Sequence, residues 1–442
     1  MLKRKAISAL RAWKEKRDRL PLIIEGARQV GKTFAVRAFA GEAYTCFYEL
    51  NFPEDKRLSG IFEGSLDGDS ILNSIRLSFP HIRFIPGKAL VFLDEIQACP
   101  QALTALKFLS GDSRFDVIAS GSALGMLHGR VASWPVGQVE YLDMFSLDFE
   151  EFLWALGIGE DLVHSVAAYR SGARSIPVAV HETMMRCLRQ YLVVGGMPDA
   201  VNAFLPDRDL LAADAVQRRI YRDYQADIAH YAEPEIRLKA QRCWESIPLQ
   251  LMKPNHKFQY AAVEPRGNAQ KFASSVEWLT ASGMAYRVQN VSQVQYPLRA
   301  FEQPESFRLY PCDIGLLVAA FDFSLKQALL ATETANSPTE SVILRTAKGG
   351  IYEALAAEIL AKRGFRNLHF YRNTPGTVEM EFLLEGENGV IPLEIKAGKN
   401  KTRSLDTLLQ SPDIRTGYKF ADQNVGQSGK KITLPLYLLM FF

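Results

Sequence analysis

Residues 2–19 place Leu2, Ile7, Leu10 and Trp13 at near-helical spacing, with Lys3, Arg4, Lys5, Arg11, Lys14, Lys16, Arg17 and Arg19 around them. That pattern predicts an amphipathic helix. Its basic face admits three readings: a solvated helix packed on the next domain, a nucleic-acid contact, or a membrane-surface contact. After Pro21 the apolar run Leu22-Ile23-Ile24 predicts a strand, followed by a glycine-rich turn and a helix over about 32–39. Further strands are predicted at 46–51, 89–93 and 115–119, with a helix at 101–109. Strands alternating with helices predict a parallel sheet covered on both faces.

Downstream the pattern changes. Residues 146–230 read as mostly helical, broken by Gly195-Gly196-Met197-Pro198. Residues 235–300 mix helices with a short strand pair. Residues 340–442 return to α/β, with a helix at 349–363 and strands near 368–372, 378–384 and 390–396. Boundaries are expected near 150, 230 and 335, the last in a polar stretch containing Pro338.

Composition narrows the class. The chain has 442 residues, 48% hydrophobic and 23% charged, which is ordinary for a globular protein of several domains. Lys plus Arg number 52 against 49 Asp plus Glu, so a net +3 demands no polyanionic partner. The five cysteines are scattered, odd in number and without zinc spacing, which points to a reducing, cytoplasmic setting. No apolar run approaches the ~18–20 residues of a membrane span. The N-terminus carries no expected signal peptide, and no repeat of 20–50 residues recurs.

The chemistry starts at Gly26-Ala27-Arg28-Gln29-Val30-Gly31-Lys32-Thr33, a GxxxxGK[ST] loop between a predicted strand and helix. Gly26 and Gly31 let the backbone curl so that N–H groups face phosphates. The helix adds its positive dipole end. Lys32 is a point charge for the β- and γ-phosphates of ATP, and Thr33 offers a hydroxyl to Mg²⁺. The apolar strand at 89–93 runs into Asp94-Glu95. Asp94 is placed to hold Mg²⁺ through water, and Glu95 to orient or deprotonate the attacking water. The strand at 115–119 ends in Ser120-Gly121-Ser122, where Ser120 or Ser122 contacts phosphate or water, or else forms a plain turn. Arg130 is a candidate charge-stabilising arginine or a surface residue.

With these residues in view, the chain resembles a group of prokaryotic AAA+ ATPases that join a P-loop domain to a C-terminal domain of unknown function with a restriction-endonuclease-like fold. The resemblance rests on the 26–33 loop, Leu93-Asp94-Glu95-Ile96-Gln97, Ser120-Gly121-Ser122, Gly129-Arg130-Val131, the segment 141–152 and Gly195-Gly196-Met197-Pro198. It continues through Asp313-Ile314-Gly315-Leu316-Leu317 and Leu393-Glu394-Ile395-Lys396-Ala397-Gly398. It implies a α/β chain with an AAA+ P-loop domain at 1–150, a helical lid at 151–230, a winged-helix-like region at 231–335 and a PD-(D/E)xK-like domain at 336–442. A helix over 269–283 and wing strands over 284–294 are compatible with that middle region.

A second constellation lies in the last region. Glu353 falls on a predicted helix, Glu381 on one strand, and Glu394 and Lys396 two apart on the next, hence on one face. An acidic residue followed by Glu-x-Lys is the layout in which PD-(D/E)xK nucleases hold Mg²⁺. Glu381 stands where Asp is usual; one extra methylene shifts a metal by about an ångström, which can cost about a hundredfold in rate. The group therefore reads as a vestigial nuclease site, or as an exposed cross-strand charge face. Lys396, Lys399, Lys401 and Arg403 suit a phosphate backbone or a solvated loop. Arg218, Arg219 and Arg222 suit a nucleic-acid or nucleotide surface, or a salt-bridge ladder with Asp223 and Asp227.

The expectation is a Mg²⁺-dependent ATPase that couples nucleotide state to its C-terminal modules and acts on DNA, without membrane contact. The alternative is a nucleotide-switched module that binds a protein partner or itself, hydrolyses little ATP and cuts no nucleic acid.

Overall fold

The computed structural model describes residues 2–122, 133–331, 342–387, 389–397 and 403–442. The chain forms two compact units, Met1–Ser146 with Ala281–Gly283, and Leu147–Thr280 with Met284–Phe442.

The first unit is built on five strands, β1 (Leu22–Glu25), β2 (Cys46–Asn51), β3 (Ala89–Asp94), β4 (Phe115–Gly121) and β5 (Glu140–Asp143). They lie in the order β2-β3-β4-β1-β5, every pair parallel. Burial follows position. β3 is apolar until its last residue and buried throughout, as a strand covered on both faces must be. β2, at an edge, alternates buried and half-buried residues. On one face Ile23, Tyr48, Leu50, Val91, Leu93, Val117 and Ala119 pack with Ile71, Ile75, Leu103 and Leu106 of the covering helices. One strand and one α-helix of this unit have no counterpart in the sequence reading. β5 is only four residues long with alternating exposure, too short and polar to register as a strand. The helix Gly68–Ser78 did leave a signal: Asp67 caps it by accepting from Ser70 N at 2.9 Å, and Ile71, Leu72 and Ile75 are spaced for one buried face.

In a parallel sheet all carboxyl ends share one edge. Register sets Ile24 beside Ser120 and Asn51 beside Asp94, so Glu25, Asp94 and Ser120 line that edge. Ligand sites of open α/β sheets lie there.

The second unit carries helices, among them Val178–Val194, Leu210–Tyr231, Pro234–Leu251, Ile314–Ala319 and Val342–Lys362. Its eight strands are β6 (Ala285–Val291), β7 (Glu302–Pro311), β8 (Leu368–Arg372), β9 (Glu379–Gly386), β10 (Gly389–Ile395), β11 (Gly417–Ala421), β12 (Gly426–Ser428) and β13 (Lys431–Pro435). They form one sheet in the order β12-β13-β11-β10-β9-β8-β6-β7. The boundaries expected near 230 and 335 fall inside this unit. The range expected to hold wing strands, 284–294, holds one strand, β6, which belongs to this sheet: it pairs antiparallel with β7 on one side and parallel with β8 on the other. Long-range pairing of that kind leaves no mark in local periodicity.

All five cysteines are buried and free. Among the described residues no helix is long and apolar enough to cross a membrane.

Candidate functional site

β1 delivers the chain to Gly26, where a Cβ would sit 2.0 Å from the Met144 carbonyl oxygen, so only glycine fits. Gln29 (φ 61) and Gly31 (φ 93) are left-handed, and the helix Lys32–Ala43 starts at once. Its first N–H groups have no partner within the helix, which suits an anion. Lys32 is buried, and its Nζ donates to the carbonyls of Gly26 and Ala27, both at 2.8 Å. The ammonium is thus held across the loop.

Thr33 Oγ1 lies 3.1 and 3.0 Å from the two carboxylate oxygens of Asp94. Ser120 Oγ also donates to Asp94, and Asn51 Nδ2 stands 3.4 Å from it. Burial raises the Asp94 pKa, while the Ser120 and Thr33 hydroxyls pull it back. A buried carboxylate beside a hydroxyl is the oxygen donor set that Mg²⁺ takes, and a cation would relieve that desolvation. The loop and these two side chains fit Mg²⁺-ATP.

Glu95 occupies the left-handed region, φ 53 and ψ 50, a conformation that costs a non-glycine residue about 1–3 kcal/mol. Its surroundings hold it there. The Glu95 N–H donates to Ser120 Oγ at 3.3 Å. Gln97 Nε2 donates to the Glu95 carboxylate and lies 3.4 Å from Ser122 Oγ. Arg28 Nε donates to Ser122 Oγ at 3.4 Å, and its guanidinium is 3.8 Å from Glu95 Oε2. The structure therefore brings Arg28, Glu95 and Ser122 together beside Lys32, Thr33 and Asp94. Gln97 was not singled out as a site residue, although its place two residues past Glu95 was a usable signal. Arg4 had no local signal: it is buried, and donates to the carbonyl of Val30 in the loop. Arg130 lies outside the described residues.

In the second unit, β9 and β10 run antiparallel and carry Glu381 and Glu394 side by side. Lys396, just past β10, stands 2.7 Å from Glu381 Oε1 and 3.5 Å from Glu394 Oε1. Both carboxylates are at most 5% exposed, which rules out the solvated charge face. Burial, then the neighbouring Glu381, pushes the Glu394 pKa up to about 7. Burial opposes the Lys396 charge, but Glu381 and Glu394 outweigh it and hold the ammonium protonated. Glu353 has its own partners, accepting from His256 Nδ1 at 2.8 Å, Arg308 at 2.9 Å and Tyr310 OH at 3.2 Å. Burial raises its pKa, yet His256 and Arg308 prevail and hold it at about 2. Among the described residues no three His, Cys, Asp or Glu converge to hold a metal ion. With Lys396 between the two carboxylates, the group as it stands does not fit a divalent ion. Lys399 and Lys401 lie outside the described residues. Arg218 pairs with Asp214 at 2.7 Å and Arg219 with Asp199 at 3.1 Å, so the arginines at 218 and 219 are engaged by carboxylates other than those expected.

Three stretches match family descriptions: residues 18–153 an AAA domain, residues 185–327 a domain of unknown function (DUF8612), and residues 348–438 a domain of unknown function (DUF4143). No match was found among curated proteins. Among solved structures, a Walker-type ATPase of Pyrococcus abyssi is 14% identical, with 72% of this chain and 96% of that one covered and a TM-score of 0.42. The Aeropyrum pernix ORC1 protein in complex with DNA is 12% identical, covering 74% and 90%, with a TM-score of 0.28. PCH-2 of C. elegans is 14% identical, covering 49% and 66%, with a TM-score of 0.27. The match over 18–153 to an AAA domain coincides with the loop, the strand order and the Thr33–Asp94 pair just described, and the first unit has the parallel α/β fold of a P-loop domain.

Proposed function

We propose that the chain binds Mg²⁺-ATP at the 26–33 loop, hydrolyses it and uses the nucleotide cycle to drive its C-terminal unit. The observation that carries this is the Thr33–Asp94 pair beside Lys32, with Glu95 one residue further on. Lys32 and the loop N–H groups bind the phosphates. Thr33 and Asp94 would hold Mg²⁺, which would supply positive charge against the phosphates. Glu95 orients the attacking water and takes its proton. Ser122 steadies the Glu95 side chain through Gln97 and Arg28. Arg130 is retained as a candidate for the charge on the γ-phosphate.

One observation favours the slower, switch-like reading. The Glu95 carboxylate is engaged by Gln97 and faces Arg28, so it must be released before it can act on water. Phosphate release by the wild type, Lys32→Ala and Glu95→Gln separates the two readings. Hydrolysis requires turnover in the wild type, no binding in Lys32→Ala, and binding without turnover in Glu95→Gln. Binding without turnover in the wild type would leave the switch.

For the second unit we propose a restriction-endonuclease-like sheet whose nuclease chemistry is lost. The support is Glu381 and Glu394 on adjacent antiparallel strands with the Lys396 ammonium, just past β10, between their carboxylates. DNA is the partner we assign, through the basic residues from Lys399 to Arg403 rather than Lys396. Binding should then fall with salt at a log–log slope of about −0.9 per phosphate neutralised, with weak sequence preference. No saturable binding of duplex or single-stranded DNA at low salt, with or without an ATP analogue, would move the partner to a protein.

A further inference from the structure

We propose that Arg4 is a positioning residue for the nucleotide: it pins the phosphate-binding loop in its binding shape before ATP arrives. The proposal rests on the ATP-binding reading of that loop.

The argument begins with two carbonyls. Arg4 NH1 donates to Val30 O at 2.9 Å and NH2 to Phe145 O at 2.6 Å. Val30 directly precedes Gly31, whose left-handed φ of 93° turns the chain into the helix Lys32–Ala43. Phe145 directly follows Met144, whose N–H donates to Glu25 O at 2.7 Å and whose carbonyl oxygen closes on Gly26. The loop is therefore tied at both ends to one two-residue segment. Met144 holds its start, and Arg4 holds its end by bridging Val30 to Phe145.

Arg4 is itself held. It occupies the N-cap of the helix Lys5–Glu15 and accepts from Ile7 N at 3.2 Å. Ile7, Leu10 and Trp13 of that helix are buried, and Trp13 Nε1 donates to Leu20 O at 3.0 Å, just ahead of β1. This helix packs on Lys32–Ala43, and Lys14 Nζ caps the far end of that helix at the Ala43 carbonyl. The N-terminal helix thus braces the nucleotide helix at both ends, and its basic residues are not one undifferentiated surface. A guanidinium is planar and can serve two acceptors at a fixed spacing; an ammonium is a point donor and cannot reproduce that fork. A loop ordered in advance binds without spending affinity on its own ordering.

The test uses the full chain with Arg4→Met, which keeps the apolar stem and removes the donors, and Arg4→Lys, which keeps the charge. Three quantities are measured: affinity for a non-hydrolysable Mg²⁺-ATP analogue, kcat at saturating ATP, and amide exchange in the nucleotide-free protein. Removing charged hydrogen bonds of this kind should raise the Kd of Arg4→Met by roughly 10- to 100-fold. Its kcat at saturation should stay within a few-fold, with Arg4→Lys intermediate in Kd. Exchange should quicken over residues 26–33. Unchanged Kd and unchanged loop exchange, even with a lower Tm, would overturn the proposal and leave Arg4 as a helix anchor. If Arg4→Met does not fold, Arg4→Lys decides by the same two readouts. If the wild type binds no ATP analogue, the nucleotide reading falls, and loop exchange in the variants still upholds or overturns the bracing by Arg4.

Discussion

Gly196 donates its backbone N–H to Asp313 Oδ2 at 2.8 Å, joining segments 117 residues apart. Asp313 Oδ1 meanwhile accepts from Gly315 N at 2.9 Å and Leu316 N at 3.3 Å, capping the helix Ile314–Ala319. A Cβ on Gly196 would lie 2.0 Å from Leu147 O, and one on Gly195 2.2 Å from Asp313 Oδ1. Two of the segments that carry the family resemblance, 195–198 and 313–317, form one structural joint. Beside it Glu358, fully buried, accepts from Tyr191 OH, Ile314 N and Lys362 Nζ, each at 2.6 Å.

Asp313→Ala should destabilise the second unit by about 3 kcal/mol or more, since it leaves buried N–H groups without an acceptor. Gly196→Ala should do comparable damage by steric overlap. Chemical denaturation followed by fluorescence checks both. A loss under ~1 kcal/mol for Asp313→Ala would mean that water replaces the carboxylate.

Mg²⁺ should strengthen ATP binding in the wild type, and that gain should vanish in Asp94→Asn and shrink in Thr33→Val. Titration of an ATP analogue with Mg²⁺ and with EDTA measures it. Equal Mg²⁺ dependence in Asp94→Asn and wild type would remove Asp94 from the metal site.

Glu394 gives a pH signature. Burial and Glu381 raise its pKa from 4.5 to about 7, so the folded state binds a proton that the unfolded state has released. Its stabilising contribution is complete below about 4.5 and is lost as pH rises through 7. The shift corresponds to about 3 kcal/mol. Glu358, raised to about 7 by burial against the pull of Lys362, adds a loss in the same direction. Stability of the wild type should fall between pH 5 and 8, and Glu394→Gln should shrink that fall by about 1–3 kcal/mol. An identical pH slope in the variant would show that Glu394 stays ionised throughout.

Lys396→Met leaves Glu381 buried beside a neutral side chain. Breaking a buried pair typically costs about 3–5 kcal/mol, and the loss should be greatest above pH 7, where Glu381 has to be charged. ATP binding should be unchanged, because the two sites share no partner. Calorimetry at pH 5 and 8, beside the ATP titration, reads both; a weakened ATP affinity with the fold intact would mean that the two sites are coupled.

Much of the first unit was legible because its information is local. The strand at 46–51 shows in its composition, the loop at 26–33 in its residue types, and β3 in an apolar run ending in Asp94 and Glu95. Period and turn chemistry act over a few residues, and a sequence displays them directly. Tertiary structure alone decided the rest. It placed β6 and β7 in one sheet with strands more than fifty residues downstream. It gave Glu353 partners of its own, because His256 and Arg308 reach it from other elements. It set Lys396 between two buried carboxylates rather than in a basic patch, and carried Arg4 from a helix face that reads as solvated to the carbonyls of Val30 and Phe145. The physical reason is common to the three charged side chains Glu353, Lys396 and Arg4. Charge and hydrogen-bond partners are chosen by distance in space, and in a low-dielectric interior a buried ion must find one wherever along the chain it lies.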